Sequence, residues 1–202
     1  MLNVLKFPTT AMFAFYVIAG LRTPALSLTL PNGTTKTCTV ISGGRPLVVR
    51  EESDPRDTGL IGSTNWPAGG GGDYRITYYQ GTMLRLYPLM DEAARQISGG
   101  APGPQTNART LVMLFAAYHE CAHARLQSGD EFKVNCEALI QMRHFAVQAG
   151  SLTEGVLANW HYDLGATNSG VDGATYWQRT VECANRYPQP AAGWDTGWAK
   201  TF

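Results

Sequence analysis

Short apolar runs dominate the first half of the chain, and helical periodicity dominates the second half. The β-branched or apolar runs Thr37–Ile41 and Pro46–Val49, separated by two glycines, predict a β-hairpin. A second hairpin is predicted from Arg75–Tyr79 and Met83–Leu86, which flank a Gln-Gly-Thr turn signal. The charged stretch Glu51–Asp57 between the two predicted hairpins is expected to be a loop.

The later segments have the spacing of helices. In Ala108–Leu126, apolar side chains recur at helical intervals and predict a helix with a buried face, formed by Leu111, Leu114, Phe115, Tyr118 and Ala122. Asn107 and Asp130 are suited to cap this helix and the next one, Glu131–Val147. Further helices are predicted at Pro88–Ile97, Thr153–Asp163 and Ala174–Asn185. Because strands precede helices, this order predicts an α+β domain.

The first residues have the pattern of a secretory signal peptide. Lys6 supplies a positive charge before the apolar run Thr9–Leu21, which is too short to span a bilayer. The small residues in Ala25-Leu26-Ser27 suit cleavage, so a signal peptide is predicted at residues 1–27. The alternative is an uncleaved membrane anchor. A single domain at residues 28–187 and a loose tail at residues 188–202 are predicted for the rest.

Composition limits the class of protein further. A chain of 202 residues with 44% hydrophobic and 16% charged residues suits one globular domain. The 16 basic and 16 acidic residues balance, and no basic run occurs, so nucleic acid is not an expected partner. Loss of Lys6 and Arg22 with the signal peptide would leave 14 basic residues against 16 acidic ones.

Candidate chemistry is concentrated in His119-Glu120-Cys121-Ala122-His123, which contains H-E-x-x-H near the end of a predicted helix. Residues four apart share a helix face, so His119 and His123 can present two imidazoles to one metal ion. Glu120 lies about 100° around the helix from His119, where its carboxylate can act as a general base. This set is typical of metal-activated hydrolysis. The alternative is a helix with two ordinary polar histidines.

The next helix completes a resemblance to a known family. Its first residues, Glu131-Phe132-Lys133-Val134-Asn135-Cys136, follow the H-E-C-A-H segment closely. The pair of segments, within residues 109–145, resembles zincin metallopeptidases of the gluzincin type, which carry H-E-x-x-H on one helix and E-x-x-x-D on a later one. Small bacterial proteins of this type read E-x-x-A-D-C, so Val134 and Asn135 depart from the pattern.

The resemblance implies a small zincin-like fold that binds Zn²⁺ through His119, His123 and Glu131. It also implies Glu120 as general base, a peptide bond as the substrate, and Asn135 in the place of the Asp that orients a ligand histidine. An amide at that position carries no charge, so it raises imidazole basicity less than a carboxylate does.

Other residues are alternative or additional candidates. Glu137 would relieve the short link between His123 and Glu131 if it were the third ligand. His161 or Tyr162 could stabilise an oxyanion. The strand Arg75–Tyr79 could pair as an edge strand with an extended peptide, although an ordinary sheet strand is an equally good interpretation.

Cys38, Cys121, Cys136 and Cys183 all follow the predicted signal peptide, so export makes two disulfides plausible among three connectivities. The sequence contains no C-x-x-C pair, which is the pattern that would indicate a structural zinc site. Cys121 and Cys136 lie on neighbouring predicted helices, and a bond between them would clamp the metal-bearing pair. We therefore expect Cys121–Cys136 and Cys38–Cys183, although Cys121 points about 200° around the helix from His119. Buried thiols are the alternative.

The leading hypothesis is an exported zinc-dependent metallopeptidase-like hydrolase, periplasmic or secreted. Its expected partner is a peptide or protein substrate, with no nucleic acid and no stable membrane anchor after signal cleavage. One rival is a non-catalytic exported binding module that keeps a zincin scaffold. A second rival is a disulfide-stapled secreted protein without metal.

Overall fold

The computed structural model describes residues 28–29, 35–36, 38–42, 45–67, 73–97, 105–145, 157–158 and 171–187 of the chain. The predicted signal peptide 1–27, the predicted tail 188–202 and most of the predicted helix Thr153–Asp163 lie outside these residues. The described part is a mixed α+β structure in which short strands come first and helices follow, as predicted. None of the described helices is long and apolar enough to cross a membrane.

Two pairs of short strands lie at the start of the described chain. β1 (Leu28–Thr29) pairs antiparallel with β2 (Thr35–Lys36). β3 (Thr39–Ser42) and β4 (Arg45–Val48) form an antiparallel hairpin. The first predicted hairpin is therefore confirmed, with slightly different boundaries.

A three-stranded sheet follows, with the strands β5 (Arg50–Asp54), β6 (Gly62–Asn65) and β7 (Arg75–Tyr79). Their order is β5-β7-β6, and β7 is parallel to β5 and antiparallel to β6.

The prediction that Glu51–Asp57 is a loop is wrong for its first part. The buried Glu51 carboxylate accepts a hydrogen bond from the Cys38 N–H at 2.6 Å, which compensates a charge on the inner face of β5. The edge-strand prediction for Arg75–Tyr79 is also wrong, because this strand lies between the other two.

Helix α1 (Gln80–Ile97) begins directly after β7 and occupies the place of the predicted strand Met83–Leu86, so the second predicted hairpin is wrong. Its first strand, Arg75–Tyr79, is confirmed as β7, and the predicted helix Pro88–Ile97 is confirmed as the second half of α1. Met83, Leu86 and Met90 are buried at helical spacing. A short, mainly apolar run such as the one from Met83 to Leu86 does not distinguish a strand from a helix by its period. At the start of the helix, Gly81 packs so closely that an added Cβ would lie 2.6–2.7 Å from backbone atoms of residues 55–57.

Helix α2 (Gln105–Leu126) has neighbours on several sides. It contacts α1, β6 and helix α3 (Glu131–Phe145), and α3 in turn packs on helix α4 (Gly173–Arg186). Every residue from Val112 to Ala117 is buried. The helix is thus enclosed along this stretch, whereas the periodicity predicts a single buried face.

A tight turn joins α2 to α3 and brings their functional ends together. Gln127, directly after α2, has a left-handed φ of 46°, which reverses the chain. Its side-chain amide donates to the Tyr74 hydroxyl at 2.7 Å, so this strained residue is held in place. Asp130 then caps α3, since its Oδ1 accepts from the backbone N–H groups of Phe132 and Lys133 at 3.0 and 3.2 Å. The short link is therefore compatible with ligands from both helices.

The disulfides connect elements other than those predicted. Cys38 is bonded to Cys121 and Cys136 to Cys183, with Cα–Cα distances of 5.5 and 5.8 Å. The predicted pairs Cys121–Cys136 and Cys38–Cys183 are wrong. Cys121 lies on the side of α2 that faces the start of β3, and Cys136 lies on the side of α3 that faces α4. Each disulfide therefore ties either α2 or α3 to an outer element.

Proteolysis without reduction, followed by mass mapping, should yield linked peptides for Cys38–Cys121 and Cys136–Cys183 and no free thiol. These bonds close separations of 83 and 47 residues. Loop-closure entropy therefore predicts that the double change Cys38→Ser with Cys121→Ser lowers the free energy of unfolding by about 4.5 kcal/mol. Denaturant unfolding would measure this loss. A linked Cys121–Cys136 peptide would contradict the observed arrangement.

Candidate metal centre

Two imidazole nitrogens from α2 and one carboxylate from α3 converge on one point. The Nε2 atoms of His119 and His123 are 3.2 Å apart. Glu131 places Oε2 at 3.2 Å from His119 Nε2 and Oε1 at 3.6 Å from His123 Nε2. Among the described residues, these three side chains form a cluster that could hold a metal ion. Their side chains keep 17%, 10% and 27% of their surface exposed, so water can reach the cluster.

The other ring nitrogen of each histidine faces an acceptor. His119 Nδ1 lies 3.0 Å from Asn135 Oδ1, and His123 Nδ1 lies 2.7 Å from the carbonyl oxygen of Ser128. A carbonyl oxygen accepts only, so both Nδ1 atoms must carry the hydrogen. In the neutral rings, both Nε2 atoms therefore present lone pairs to the point between them.

This arrangement is unfavourable without a positive charge. The two Nε2 lone pairs and the Glu131 carboxylate are all hydrogen-bond acceptors, and they lie within hydrogen-bond distance of one another. When both rings are neutral, none of these three side chains places a donor between them. A metal cation at the point satisfies all three groups, whereas a proton on one Nε2 satisfies that nitrogen and one neighbouring acceptor. Ligands of a tetrahedral zinc site, bound at about 2.0–2.1 Å, are about 3.3 Å from one another. The two Nε2 atoms, 3.2 Å apart, match that requirement, and Glu131 offers each of them a different carboxylate oxygen at a similar distance, Oε2 at 3.2 Å and Oε1 at 3.6 Å.

The electrostatics of the cluster favour a cation. Burial lowers the pKa of His119, but the hydrogen bond to Glu131 and the charges of Glu120 and Glu131 outweigh burial, so this pKa lies above its ordinary value. Burial raises the pKa of Glu131, but the hydrogen bond from His119 and the charges of both histidines outweigh it and hold this pKa below its ordinary value. The site thus stabilises positive charge next to an ionised carboxylate.

Glu120 lies beside the cluster and is held by strand β6. Its side chain is buried, and its Oε2 accepts a hydrogen bond from Thr64 Oγ1 at 2.7 Å. The same hydroxyl lies 2.9 Å from the Glu120 backbone oxygen. A Cβ added at Gly62 would lie 2.7–2.8 Å from the carboxylate end of Glu120. The space for this carboxylate therefore depends on a glycine.

Alternate residues of β6 and its extension face the motif helix. Gly62 and Thr64 contact Glu120, and Trp66 stacks on His123 with ring centroids 6.0 Å apart and planes inclined by 8°. A strand directs every second side chain to one face, so this period of two places all three against α2. On the opposite face, Ser63 Oγ lies 3.0 Å from the Tyr79 hydroxyl.

Helix α4 supports the cluster from the other side. Asn135 Nδ2 donates to Thr180 Oγ1 at 3.0 Å, and this hydroxyl donates to the Tyr176 carbonyl at 2.9 Å. The Tyr176 hydroxyl in turn donates to the backbone carbonyl of Glu131 at 2.8 Å. Burial, together with the charge of Glu131, raises the pKa of this phenol well above its ordinary range, so it remains a donor.

The other predicted candidates lie elsewhere. Glu137 is fully buried, accepts from Gln141 Nε2 at 2.5 Å and lies 3.8 Å from the guanidinium of Arg125, outside the three-residue cluster. His161 and Tyr162 lie outside the described residues.

Sequence reasoning missed five residues around the site, which are Gly62, Thr64, Trp66, Ser128 and Thr180. Only the period of two in Gly-Ser-Thr-Asn-Trp hints at the first three, and nothing local relates Thr64 to Glu120, which lies 56 residues later in the chain. Comparisons of the chain with protein-family models, with curated proteins and with solved structures find no match. The chemical interpretation therefore depends on the residues and distances of the site itself.

Purified protein dialysed against trace zinc should retain one zinc per chain by mass spectrometry, and His119→Ala or His123→Ala should abolish this. Glu131→Gln should weaken zinc binding by more than the about 10–100-fold that outer contacts contribute. Glu137→Gln is the matched comparison. It should preserve zinc binding but lower the free energy of unfolding by about 3 kcal/mol, since it removes a buried carboxylate from near Arg125. Weaker zinc binding in Glu137→Gln than in Glu131→Gln would reverse the assignment of the third ligand.

Proposed function

We propose that this protein is an exported zinc-dependent metallopeptidase-like hydrolase. The observation that carries the proposal is the convergence of two imidazole lone pairs and a carboxylate, separated by 3.2–3.6 Å, beside the buried Glu120. Two histidines and one glutamate form the protein ligand set of a known class of catalytic zinc site, which leaves a position for water. A purely structural site has no need of the general base that Glu120 can supply.

The surrounding elements support a zincin-type interpretation. The H-E-x-x-H residues lie in the last two turns of α2, and the third ligand is the first residue of α3. Asn135 contacts the ligand His119 from the position where the gluzincin pattern has an aspartate. Strand β6 passes over the same part of α2.

The chemistry requires one proton to move twice. When bound, zinc supplies Lewis acidity, which can lower the pKa of a water to about 7. Glu120 accepts a proton from the attacking water while the water oxygen forms a bond to the carbonyl carbon. The C–N bond then breaks, and Glu120 returns the proton to the leaving nitrogen. The hydrogen bond from Thr64 holds the carboxylate toward the site during both transfers.

The outer edge of β6 offers backbone groups with which an extended polypeptide could pair. Tyr79 N–H donates to the Ile61 carbonyl, and the register places Gly62 opposite Tyr78. In an antiparallel pair, every second residue forms backbone hydrogen bonds with the neighbouring strand. Because Ile61 forms such a bond, the backbone N–H and C=O groups of Gly62 and Thr64 point away from β7. Among the described strands, β6 has no neighbour on that side. A substrate strand paired there would pass Glu120, which supports a peptide as the substrate.

The two disulfides indicate an oxidising compartment, extracellular or periplasmic. We propose on this basis, together with the signal-like first 27 residues, that the protein is periplasmic or secreted.

Glu120→Gln should retain zinc and fold but lose about 10²–10⁴-fold in turnover, because it removes the proton acceptor and keeps the shape. The assay is a broad peptide library with a zinc-chelator control, and Glu182→Gln on the exposed side of α4 is the matched charge control. Undiminished cleavage by Glu120→Gln would assign the activity to another site or a contaminant. A wild-type protein that holds zinc and cleaves nothing would favour the binding-module rival, for which the neutral Asn135 is the supporting feature.

Gly62→Ala should reduce turnover by about 10²-fold without loss of zinc, because a methyl group 2.7–2.8 Å from the Glu120 carboxylate end displaces the general base. Gly129→Ala is the matched control, since an added Cβ there meets nothing within 4 Å. Turnover and zinc content measured on both variants would check this. Equal turnover of Gly62→Ala and wild type would show that the position of Glu120 does not limit the reaction.

A further inference from the structure

Asparagine at position 135 can support the metal site in only one orientation of its side-chain amide, whereas an aspartate could do so in either orientation. The two oxygens of an aspartate both accept hydrogen bonds, so either can face an imidazole N–H. An asparagine has one accepting end and one donating end. If the Asn135 amide were reversed, its NH₂ group would face His119 Nδ1, and that nitrogen would have to accept. The neutral ring would then carry its hydrogen on Nε2, where a metal ligand needs a lone pair.

Thr180 opposes this reversal. Its hydroxyl donates its only hydrogen to the Tyr176 carbonyl at 2.9 Å, so toward Asn135 it can only accept. Asn135 Nδ2 lies 3.0 Å from that oxygen and donates to it. Both side chains are buried, with exposures of 1% for Asn135 and 0% for Thr180, so bulk water does not compete for either end of the amide.

A disulfide next to this contact fixes how α3 and α4 pack against each other. Cys136 follows Asn135 directly and is bonded to Cys183, which lies three residues after Thr180 on α4. The helix–helix contact that presents Thr180 to the amide is therefore covalently held. The Tyr176 hydroxyl adds a second link from α4 to the start of α3 through the Glu131 carbonyl.

We propose that Thr180 is a positioning residue of the metal centre. It orients the Asn135 amide and thereby holds His119 in the Nδ1–H tautomer whose Nε2 can bind metal. This inference rests on the proposed metal site, but the tautomer of His119 can be measured without metal. Helix α4 then influences the ligand His119 on α2 through Asn135 of α3.

A double-mutant cycle tests the proposal. Thr180→Val should weaken zinc binding about 10–100-fold, the range typical of contacts that orient metal ligands. Thr180→Ser keeps the hydroxyl and should restore affinity. In an Asn135→Asp background, Thr180→Val should change zinc affinity only about twofold, because a carboxylate accepts with either oxygen. Thr82→Val is a matched control, since Thr82 is also fully buried and binds Asp57 rather than the metal centre.

The tautomer is read from long-range proton–nitrogen NMR spectra of metal-free protein at a pH where the ring is neutral. Wild type and Thr180→Ser should show His119 with hydrogen on Nδ1, and Thr180→Val should show a mixture or the Nε2–H form. Thr180→Ala provides a second disrupting variant if Thr180→Val does not fold. Equal losses of affinity from Thr180→Val in the wild-type and Asn135→Asp backgrounds would overturn the proposal, as would an unchanged tautomer in both disrupting variants. A wild-type protein that binds no zinc but shows the expected tautomer change would count against the proposed function alone.

Discussion

Three hydrogen-bond acceptors that face one another constrain the arrangement of this protein. The Nε2 lone pairs of His119 and His123 and the carboxylate of Glu131 meet at 3.2–3.6 Å, because both Nδ1 atoms donate to oxygen acceptors. Such a group is stable only around positive charge. The tight turn between α2 and α3 and the packing of both helices determine that the three atoms meet.

The outer elements hold this cluster from opposite sides. Strand β6 supplies the hydroxyl of Thr64 and the space at Gly62 for Glu120, while α4 supplies Thr180 for the amide of Asn135. A disulfide lies near each contact, one from the start of β3 to α2 and one from α3 to α4. The two disulfides therefore hold β3 against α2 and α4 against α3. If these elements separated, the contacts that hold the polar side chains of the site would be lost.

The parts of the fold that sequence reasoning predicted are those encoded within one segment. The two helices of the candidate metal centre follow from local periodicity and from Asp130 as a cap, and the i, i+4 spacing brings His119 and His123 to one face. The second predicted hairpin is wrong in its second strand, Met83–Leu86, because a run of four residues is too short for its period to distinguish a strand from a helix. The disulfide pairs are wrong because they depend on which outer element covers each helix, and no local pattern contains that information.

The most direct test of a zinc centre is anomalous diffraction at the zinc absorption edge from crystals of the metal-loaded protein. We expect one anomalous peak, coordinated by Nε2 of His119, Nε2 of His123 and a carboxylate oxygen of Glu131, at about 2.0–2.2 Å from each. Glu120 should approach the ion without binding it. A peak at another position, or zinc-loaded crystals in which these three side chains surround no metal, would contradict the account.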